Sequence, residues 1–448
     1  MTGRITVGRK IGYGIGDFGF GLFFLTASQF LLFYYTDILG LDPSTAGWVF
    51  GAAVVWDALI DPVMGAVANR AQTRWGRYRP FVLFASVPLA LSWALIFLPV
   101  GFSGGALVLW ALAAHLLFRT VYTVAYMPYL ALSAAMTEDS AERSALAAYR
   151  LIFQALSGVL AAFATLKLAE TFGGGQQGWF AAAAAYGALA TVMLLVAFAT
   201  AREVSFGDGP KVRPTFGEMA RVLRANRAFW LVCGAFLIGS VGFVFFNKSL
   251  PYWIKYGLGI DNFGPFLGVL AMGITFTIPL WAFLTRRTSK RIAFLVGSAV
   301  SLVACLGLWL APETRGAWMP LVMLLGAGNG GVILSSWAMM PDTVEYGEFR
   351  TGTRAEGAVF GFVSLVQKGS LGLAAGALGE VLTLIGYRAN VAQSADTLGL
   401  MKGVMLGVPA LFYLGAAAVI LFYPLDARTH GRMVKVLQRR RARVAAAE

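Results

Sequence analysis

The chain alternates between long apolar stretches and short polar, basic connections. Each long stretch holds about the twenty apolar residues that a helix needs to cross the hydrocarbon core of a bilayer. There are twelve of them, near residues 12–36, 45–68, 81–100, 106–136, 145–168, 178–200, 229–256, 264–285, 292–311, 317–341, 357–386 and 403–424. The longest polar interruption, 201–228, falls between the sixth and seventh stretches. The pattern predicts an all-α polytopic membrane protein.

The division of the chain follows from the same pattern. We expect one six-helix half at 1–200 and another at 229–424, separated by a cytoplasmic middle loop at 201–228 and followed by a basic cytoplasmic tail at 425–448. A weak internal repeat supports this division: a basic segment follows the second helix of each half, NRAQTRWGRYRP (69–80) in the first and TRRTSKR (285–291) in the second. Repeats of this kind are common in secondary transporters. The positive-inside rule alone would also place basic residues in both of these cytoplasmic loops.

Composition excludes a soluble protein. Of 448 residues, 58% are apolar and 13% are charged, which is too little polar surface for a soluble chain of this length. The net charge of +14 lies in short connections between spans, so we attribute it to membrane anchoring and topology, with no role in nucleic-acid binding. Cys233 and Cys305 both fall inside predicted spans, which argues against a disulfide framework.

The basic residues also predict the orientation. Most of the 36 Lys and Arg residues lie at the N-terminus, in the even-numbered connections and in the tail. The positive-inside rule then places both termini in the cytoplasm of a bacterial inner membrane. The opening MTGRITVGRK has no small-residue cleavage site, so we expect the first span to be a permanent helix.

Two carboxylates stand out in the second span, in WDALIDPVMG (56–65). A charge at mid-bilayer costs about 2.5 to 3.5 kcal/mol, and Asp57 and Asp61 are four residues apart and so share one helix face. Two anions this close require a proton or a cation between them. Pro62 cannot donate to the carbonyl of Ala58, which becomes a further candidate ligand. Alternatively, Asp61 caps the helix end or pairs with an Arg of the next loop.

The fourth span carries a polar and aromatic face in HLLFRTVYTVAYMPYL (115–130). Arg119, Tyr122 or Thr123, and Tyr126 follow helical spacing, as a sugar or anion site requires. Arg119 would serve equally as a counter-ion to Asp57 or Asp61.

Asp17, Arg150 and Lys368, on the first, fifth and eleventh spans, complete the intramembrane charges we singled out. Lys368 needs an acidic partner, for which we favour the aspartates of the second span.

No Walker A, HExxH or GxSxG motif is present. GIGDFG (14–19) matches GxGxxG but lacks a preceding strand, so we expect its glycines to allow close helix packing. These observations argue against an enzyme.

Several motifs together resemble the glycoside/pentoside/hexuronide:cation symporter family. They are YGIGDFG (13–19), FYYTDILGL (33–41), WDALIDPVMG (56–65), RWGRYRPF (74–81), ERSALAAYR (142–150), MPDTVEYGEFRTGTRAEG (340–357) and QKGSLG (367–372). They occur in order along almost the whole chain. The resemblance implies a major facilitator fold of twelve helices, alternating access, and sugar uptake driven by Na⁺, Li⁺ or H⁺.

The resemblance also assigns residues. The cation site would be Asp57, Asp61 and Thr123. The acidic positions that hold sugar in the family correspond here to Gly21 and Tyr126, and two sugar-lining tryptophans correspond to Leu130 and Ile333, so the sugar clamp is not retained. We therefore expect a different substrate site, drawn from Asp17, Gly21, Arg119, Tyr122, Tyr126, Arg150, Trp337 and Lys368.

Charged residues crowd the predicted cytoplasmic connection in DTVEYGEFRTGTRAEG. A salt-bridged cytoplasmic gate fits the family, and a solvated charged loop explains the same residues. The set is Asp342, Glu345, Glu348, Arg350, Arg354 and Glu356, with Glu142 and Arg143 as a counterpart in the other half.

The sequence thus predicts a monomeric, cation-coupled symporter of a sugar, glycoside or related solute, with no cofactor beyond the coupling cation. An alternative keeps the fold but moves an amphipathic lipid or drug-like solute, including its export. A receptor or membrane enzyme is the third candidate, without a recognisable nucleophile or metal cluster to support it.

Overall fold

The computed structural model describes residues 5–71, 73–137, 139–204, 216–353, 355–425 and 427–445. Within these ranges the chain is helical and contains no strand. The helices are α1 (Val7–Phe33), α2 (Pro43–Arg70), α3 (Arg79–Ile96), α4 (Gly104–Met136), α5 (Ser140–Thr171), α6 (Gly175–Thr200), α7 (Phe216–Ala225), α8 (Arg227–Tyr252), α9 (Gly264–Arg287), α10 (Lys290–Leu310), α11 (Arg315–Thr351), α12 (Glu356–Leu384), α13 (Ala395–Leu421) and α14 (Ala427–Ala445). All but α7 and α14 are long and apolar enough to cross a membrane, so the twelve predicted spans are confirmed.

Side chains at the helix ends account for several boundaries. Asp42 caps α2 by accepting from the amide of Ser44 at 3.1 Å, and Pro43 occupies the first helical position, where no N–H is needed. Ser289 caps α10 in the same way, through the amide of Ile292 at 3.1 Å. At the other end of a helix, Gly352 stops α11 with φ 77°, a conformation that favours glycine.

Two π-helical turns extend α1 and α8 at equivalent places. They are Tyr34–Ile38 and Trp253–Gly257, and a glycine in the left-handed conformation follows each, Gly40 at φ 81° and Gly259 at φ 67°. A π-helical turn is rare and is found most often at functional sites. Its recurrence after the first span of each predicted half supports an internal repeat.

The predicted middle loop and basic tail both contain helices. Helix α7 lies inside the predicted loop 201–228 and buries Val222, while residues 205–215 are outside the described ranges. Helix α14 buries Met433 and Leu437. We predicted a loop and a tail because both segments are rich in polar residues. Their apolar residues recur every three or four positions on one face, which is typical of an amphipathic helix.

The charged connection predicted after residue 341 is also largely helical. Helix α11 continues through Pro341 to Thr351, so Asp342, Glu345, Glu348 and Arg350 project from a helix and not from a loop. Asp342, Thr343 and Val344 are buried there, and this tertiary packing explains why the proline does not end the helix.

The chain forms two compact units, each described by itself. The first contains the first six spans together with Asn247–Gly268 and Leu371–Met401. Within it α1 packs on α5 and α6, α3 packs on α4 and α6, and α2 packs on α4. The glycines of GIGDFG permit this packing, since a Cβ at Gly16 would lie 2.6 Å from the ring of Tyr129.

In the second unit α10 packs along α11, which also contacts α7 and α14. Its core is a cluster of buried apolar side chains that includes Phe229, Phe236, Phe294, Met339, Val359, Tyr413 and Leu437. Cys233 and Cys305 are buried free thiols, which agrees with the absence of a disulfide framework.

One carboxylate organises the loop that carries RWGRYRP. Glu203 accepts hydrogen bonds from the backbone amides of Arg77, Tyr78 and Arg79 at 2.7, 2.7 and 2.9 Å. These amides lie at the start of α3, where a helix has unpaired N–H groups and favours an anion. Gly76 fits the preceding turn because its φ of 110° strains other residues.

We expect Glu203→Ala to lower the free energy of unfolding by about 2 kcal/mol, because it leaves three amides of one helix terminus without their acceptor. Thermal unfolding of the detergent-purified protein measures this. Trypsin should also cleave faster at the loop arginines. Glu170→Ala, an exposed glutamate near the end of α5, is the control; equal melting of both variants would contradict the prediction.

Candidate functional site

The three predicted cation-site residues lie together in the first unit. Thr123 Oγ1 is 2.7 Å from Asp57 Oδ1 and 3.1 Å from Asp61 Oδ1. Asp57 is 2% exposed. A hydroxyl carries one proton, so it donates to only one of two carboxylates at a time. The arrangement therefore concentrates oxygen atoms and negative charge around one point.

Helix α2 positions both carboxylates on the same face and continues to Arg70. Asp61 is thus inside the helix, which excludes the alternative that it caps the helix end. The helix also runs through Pro62, whose missing N–H leaves the carbonyl of Ala58 without its usual helical donor.

Arg119 on α4 is a counter-ion to Asp57. Its Nη1 lies 3.8 Å from Asp57 Oδ2, and both side chains are 2% exposed. Its Nε donates to His115 Nε2 at 3.3 Å. The separation from Asp57 is longer than that of a charge-assisted hydrogen bond, so the pair is a loose one.

Asp17 and Arg150 form a second, tighter ion pair in the same unit. Arg150 Nε donates to Asp17 Oδ2 at 2.6 Å, and the guanidinium stands 5.4 Å from the centre of the Tyr129 ring. Tyr129 and Tyr13 hold each other by hydrogen bonds from each hydroxyl to the other's carbonyl, at 2.6 and 3.0 Å. Two predicted site residues are therefore fixed in a tyrosine-rich setting.

Tyr122 and Tyr126 continue this aromatic face. Their ring centres are 5.1 Å apart and lie 5.6 and 5.0 Å from Phe20. Gly21, the neighbour of Phe20, packs against Ser157, with which any side chain at position 21 would collide. Gly21 thus allows close contact between α1 and α5.

Trp337 and Lys368 belong to the second unit. Trp337 is partly buried and lies 6.1 Å from the ring of Phe236, against the apolar core of that unit. Lys368 is partly buried on α12. Their membership of the substrate site stays a prediction.

The predicted gate residues have partners that the sequence reading did not name. In the first unit Glu142 pairs with Lys10 at 2.9 Å, while Arg143 is exposed. In the second unit Asp342 pairs with Lys290 at 2.8 Å, and Glu345 lies 2.6 Å from His430 of α14. The remaining residues of the set were Glu348, which is buried, Arg350, which is exposed, and Arg354 and the Glu356 side chain, which lie outside the described residues.

Asp342, Glu345 and His430 are close enough together to hold a metal ion. However, the ammonium of Lys290 lies 2.8 Å from both oxygens of Asp342 and occupies the position that a cation would take. Burial, together with the charge of Asp342, raises the pKa of the neighbouring Tyr423. We therefore interpret the group as an ion-pair cluster.

A polar cluster centred on Asp37 was missed by the sequence reading. One carboxylate oxygen accepts from Lys255 Nζ at 2.8 Å and from Tyr256 at 2.5 Å, and the other accepts from Tyr387 at 2.8 Å. Asn390 donates to the Asp37 carbonyl at 2.7 Å. Burial and the nearby carboxylate raise the pKa of Tyr387, so its phenol stays protonated and donates. The cluster therefore connects the π-helical turn Tyr34–Ile38, at the C-terminal end of α1, with the π-helical turn Trp253–Gly257.

Lys248 was also missed. It is 2% exposed, and its ammonium donates to the carbonyl of Ser28 at 2.5 Å and lies 3.9 Å from the centre of the Phe50 ring. The sequence did contain an indication of it. A lysine in the apolar run GFVFFNKSLPYW (242–253) costs as much free energy inside a membrane as the aspartates of α2 do.

Comparisons with known proteins agree with the motif resemblance. A family model described as MFS/sugar transport protein matches residues 12–427. The chain is 30% identical to the uncharacterized symporter YnaJ of Bacillus subtilis (strain 168), covering 98% of this chain and 96% of the relative. It is 27% identical to the isoprimeverose transporter of Lactiplantibacillus pentosus, covering 97% and 91%.

The fold has a solved counterpart. A bacterial homologue of the human lysosomal transporter Spinster, solved in an inward-facing and unoccupied conformation, matches with a TM-score of 0.65 at 12% identity. The match covers 94% of this chain and 98% of that chain. The predicted major facilitator fold of a multi-pass membrane protein is confirmed.

We expect Asp37→Asn to lower the free energy of unfolding by about 3 kcal/mol or more. The change removes the negative charge that pairs with the ammonium of Lys255 inside the cluster. Thermal unfolding in detergent measures the change. The matched control is Asp261→Asn, an exposed aspartate in the connection after the second π-helical turn. Equal stability of the two variants would show that the Asp37 cluster does not hold these turns together.

Proposed function

The chain belongs to the MFS/sugar transport protein family, whose members are transporters and not enzymes, and we propose that it couples a monovalent cation to the uptake of a sugar or glycoside. The names of its relatives, a symporter and an isoprimeverose transporter, support this choice. The proposal places a monomer in a bacterial inner membrane with both termini in the cytoplasm, as the basic connections predict.

One observation carries the cation site: the hydroxyl of Thr123 lies within hydrogen-bond distance of both Asp57 and Asp61. Two carboxylates that share one hydroxyl, one buried and one partly buried, repel each other unless a positive charge joins them. Na⁺, Li⁺ or H⁺ supplies that charge, and the carbonyl of Ala58 offers a further oxygen ligand. Arg119, held loosely at 3.8 Å, balances part of the charge while the site is empty of cation.

The substrate site in this proposal lies beside the cation site. Tyr122 is one position from Thr123 on α4, so a solute on the aromatic face is close to the bound cation. The aromatic faces of Tyr122 and Tyr126 suit the apolar side of a sugar ring, and the Asp17–Arg150 pair suits its hydroxyls. Trp337 and Lys368, which belong to the second unit, stay predicted substrate residues. Binding of cation and solute is then mutually favourable, and thermodynamics makes that coupling reciprocal.

The charged clusters at the ends of the helices serve as gates in this scheme. The predicted cytoplasmic gate residues pair within each unit: Lys10–Glu142 in the first, and Lys290–Asp342 with His430–Glu345 in the second. Arg143, Glu348, Arg350, Arg354 and Glu356 belong to the same predicted set. The Asp37 cluster closes the opposite end.

We expect Na⁺ or Li⁺ to raise the melting temperature of the purified protein, because a ligand that binds only the folded state stabilises it. Asp57→Asn, Asp61→Asn and Thr123→Val should each reduce this cation-dependent shift by most of its size. Thr123→Ser keeps the hydroxyl and should restore it.

The control for lost charge is Asp261→Asn, which should respond to cations as the wild type does. Uptake of labelled glycosides into proteoliposomes under a cation gradient provides a second readout. A double variant, Asp57→Asn with Asp61→Asn, that still shows full cation-stimulated uptake would disprove the proposed cation site.

A further inference from the structure

Three exposed arginines lie where α7 meets the first turn of α8. They are Arg221 and Arg224 on α7, three positions apart and so on one helix face, and Arg227, which begins α8. None of the three is paired with a carboxylate among the residues that the structure describes. Glu218, the acidic residue of α7, lies one turn earlier and is partly buried. We call Arg221, Arg224 and Arg227 the basic corner.

Asn226 fixes the backbone of the basic corner to α11. Its buried side chain donates to the carbonyl of Thr343 at 2.7 Å and accepts from the amide of Phe229 at 2.9 Å, which caps α8. The packing is tight, since a Cβ at Gly347 would lie 2.9 Å from both Asn226 and Val222. The three guanidinium groups therefore extend from a backbone with a defined position.

Trp230 marks the level of the membrane surface. Helix α8 is a membrane span that begins at Arg227, and Trp230, one turn further, is 45% exposed. Its indole Nε1 donates to the carbonyl of Leu223 on α7 at 2.8 Å. Tryptophan is enriched where a span passes from hydrocarbon into the headgroup layer. Because Trp230 contacts α7 directly, the C-terminal half of α7 lies at the level of the lipid phosphates.

We propose that the basic corner binds the headgroup of an anionic phospholipid of the surrounding bilayer, with Arg221, Arg224 and Arg227 as its phosphate ligands. A guanidinium group presents two parallel N–H donors to phosphate oxygens and keeps its charge at every physiological pH. Basic side chains near an anionic membrane surface are also attracted by its electrostatic potential. This surface is separate from the proposed cation and solute sites and does not depend on them.

Other occupants fit the basic corner less well. A soluble anion or an acidic protein supplies negative charge but not the boundary between headgroups and acyl chains at which Trp230 lies. A zwitterionic phospholipid carries its own ammonium, which cancels the charge of its phosphate. The positive-inside rule accounts for basic residues at this end of the span, but it requires no ordered binding site in the folded protein. The experiment separates these possibilities.

Helix α14 provides a matched basic surface in the same unit. Arg432, Lys435 and Arg439 are exposed on it, and none of them is paired with a carboxylate within the described ranges. His430 of α14 contacts Glu345 of α11, two residues from the carbonyl that Asn226 binds. The two basic surfaces are thus at the same end of α11. Helix α14 contains no tryptophan, tyrosine or phenylalanine, so it lacks the aromatic anchor.

The test titrates the full-length protein, purified in a neutral detergent, with phosphatidylglycerol, cardiolipin or phosphatidylcholine. Apparent affinities come from thermal unfolding, because a ligand that binds only the folded state stabilises it. Choline chloride replaces sodium salts, so that added Na⁺ does not contribute to the stability. We expect the anionic lipids to bind at least about tenfold more tightly than phosphatidylcholine.

Variants then assign the preference to the basic corner. Arg221→Gln, Arg224→Gln and Arg227→Gln together should weaken binding of phosphatidylglycerol by about tenfold or more, whereas lysine at all three positions should restore most of the affinity. If the triple glutamine variant does not fold, Arg221→Gln and Arg224→Gln replace it singly, and each should weaken binding.

The control changes the matched surface of α14. Arg432→Gln, Lys435→Gln and Arg439→Gln together remove the same charge and should leave the affinity within about threefold of the wild type.

The proposal is overturned if phosphatidylcholine binds as well as phosphatidylglycerol, or if glycerol 3-phosphate, inorganic phosphate or polyglutamate protects as well as the anionic lipids. It is equally overturned if the corner variants keep their affinity, or if the α14 variant loses as much as the corner variant, which a diffuse attraction predicts. The Na⁺-dependent shift in melting temperature should be unchanged in the corner variants, so these outcomes leave the symport proposal intact.

Discussion

A charge inside a membrane protein needs a partner, and this requirement organises the interior of the first unit. Asp17 pairs with Arg150, Asp57 with Arg119, and Asp37 with Lys255, and each pair joins segments far apart in sequence. Removing one member leaves an uncompensated buried charge, which costs more than the intact pair contributes. These pairs therefore specify which helices lie together and in which register, beyond what apolar packing alone prescribes.

The pairs differ in tightness, and the difference bears on transport. Arg150 and Asp17 meet at 2.6 Å, the distance of a strong charge-assisted hydrogen bond, whereas Arg119 and Asp57 are 3.8 Å apart. A tight pair keeps its geometry through a cycle. A loose one lets the carboxylate accept a second cation at small cost. The looser pair lies at the Thr123 hydroxyl, where the proposed cation binds and leaves in every cycle.

The sequence predicted features that depend on local spacing. Apolar length located the spans, and the four-residue interval placed Asp57 and Asp61 on one face. Contacts between residues far apart in sequence could not be predicted in this way. No local pattern indicates that Asp342 pairs with Lys290 or that Glu345 lies beside His430. The π-helical turns were not predicted either, because five residues are too few to show a periodic pattern of apolar positions. Lys248 is different: the cost of a charge in an apolar span applied to it as much as to the aspartates, and one lysine in a very apolar run was overlooked.

The two π-helical turns link the internal repeat to the cluster that we propose as a gate. Asp37 and Lys255 occupy similar places in turns that end α1 and α8, and they carry opposite charges. A duplicated segment with like charges would repel its copy, whereas opposite charges make the two copies bind each other. In the proposed cycle the free energy of the Asp37 cluster must be offset each time this gate opens. A transporter reverses between states only if they differ by a few kcal/mol, so the contacts made by cation and solute have to match the stability of this cluster.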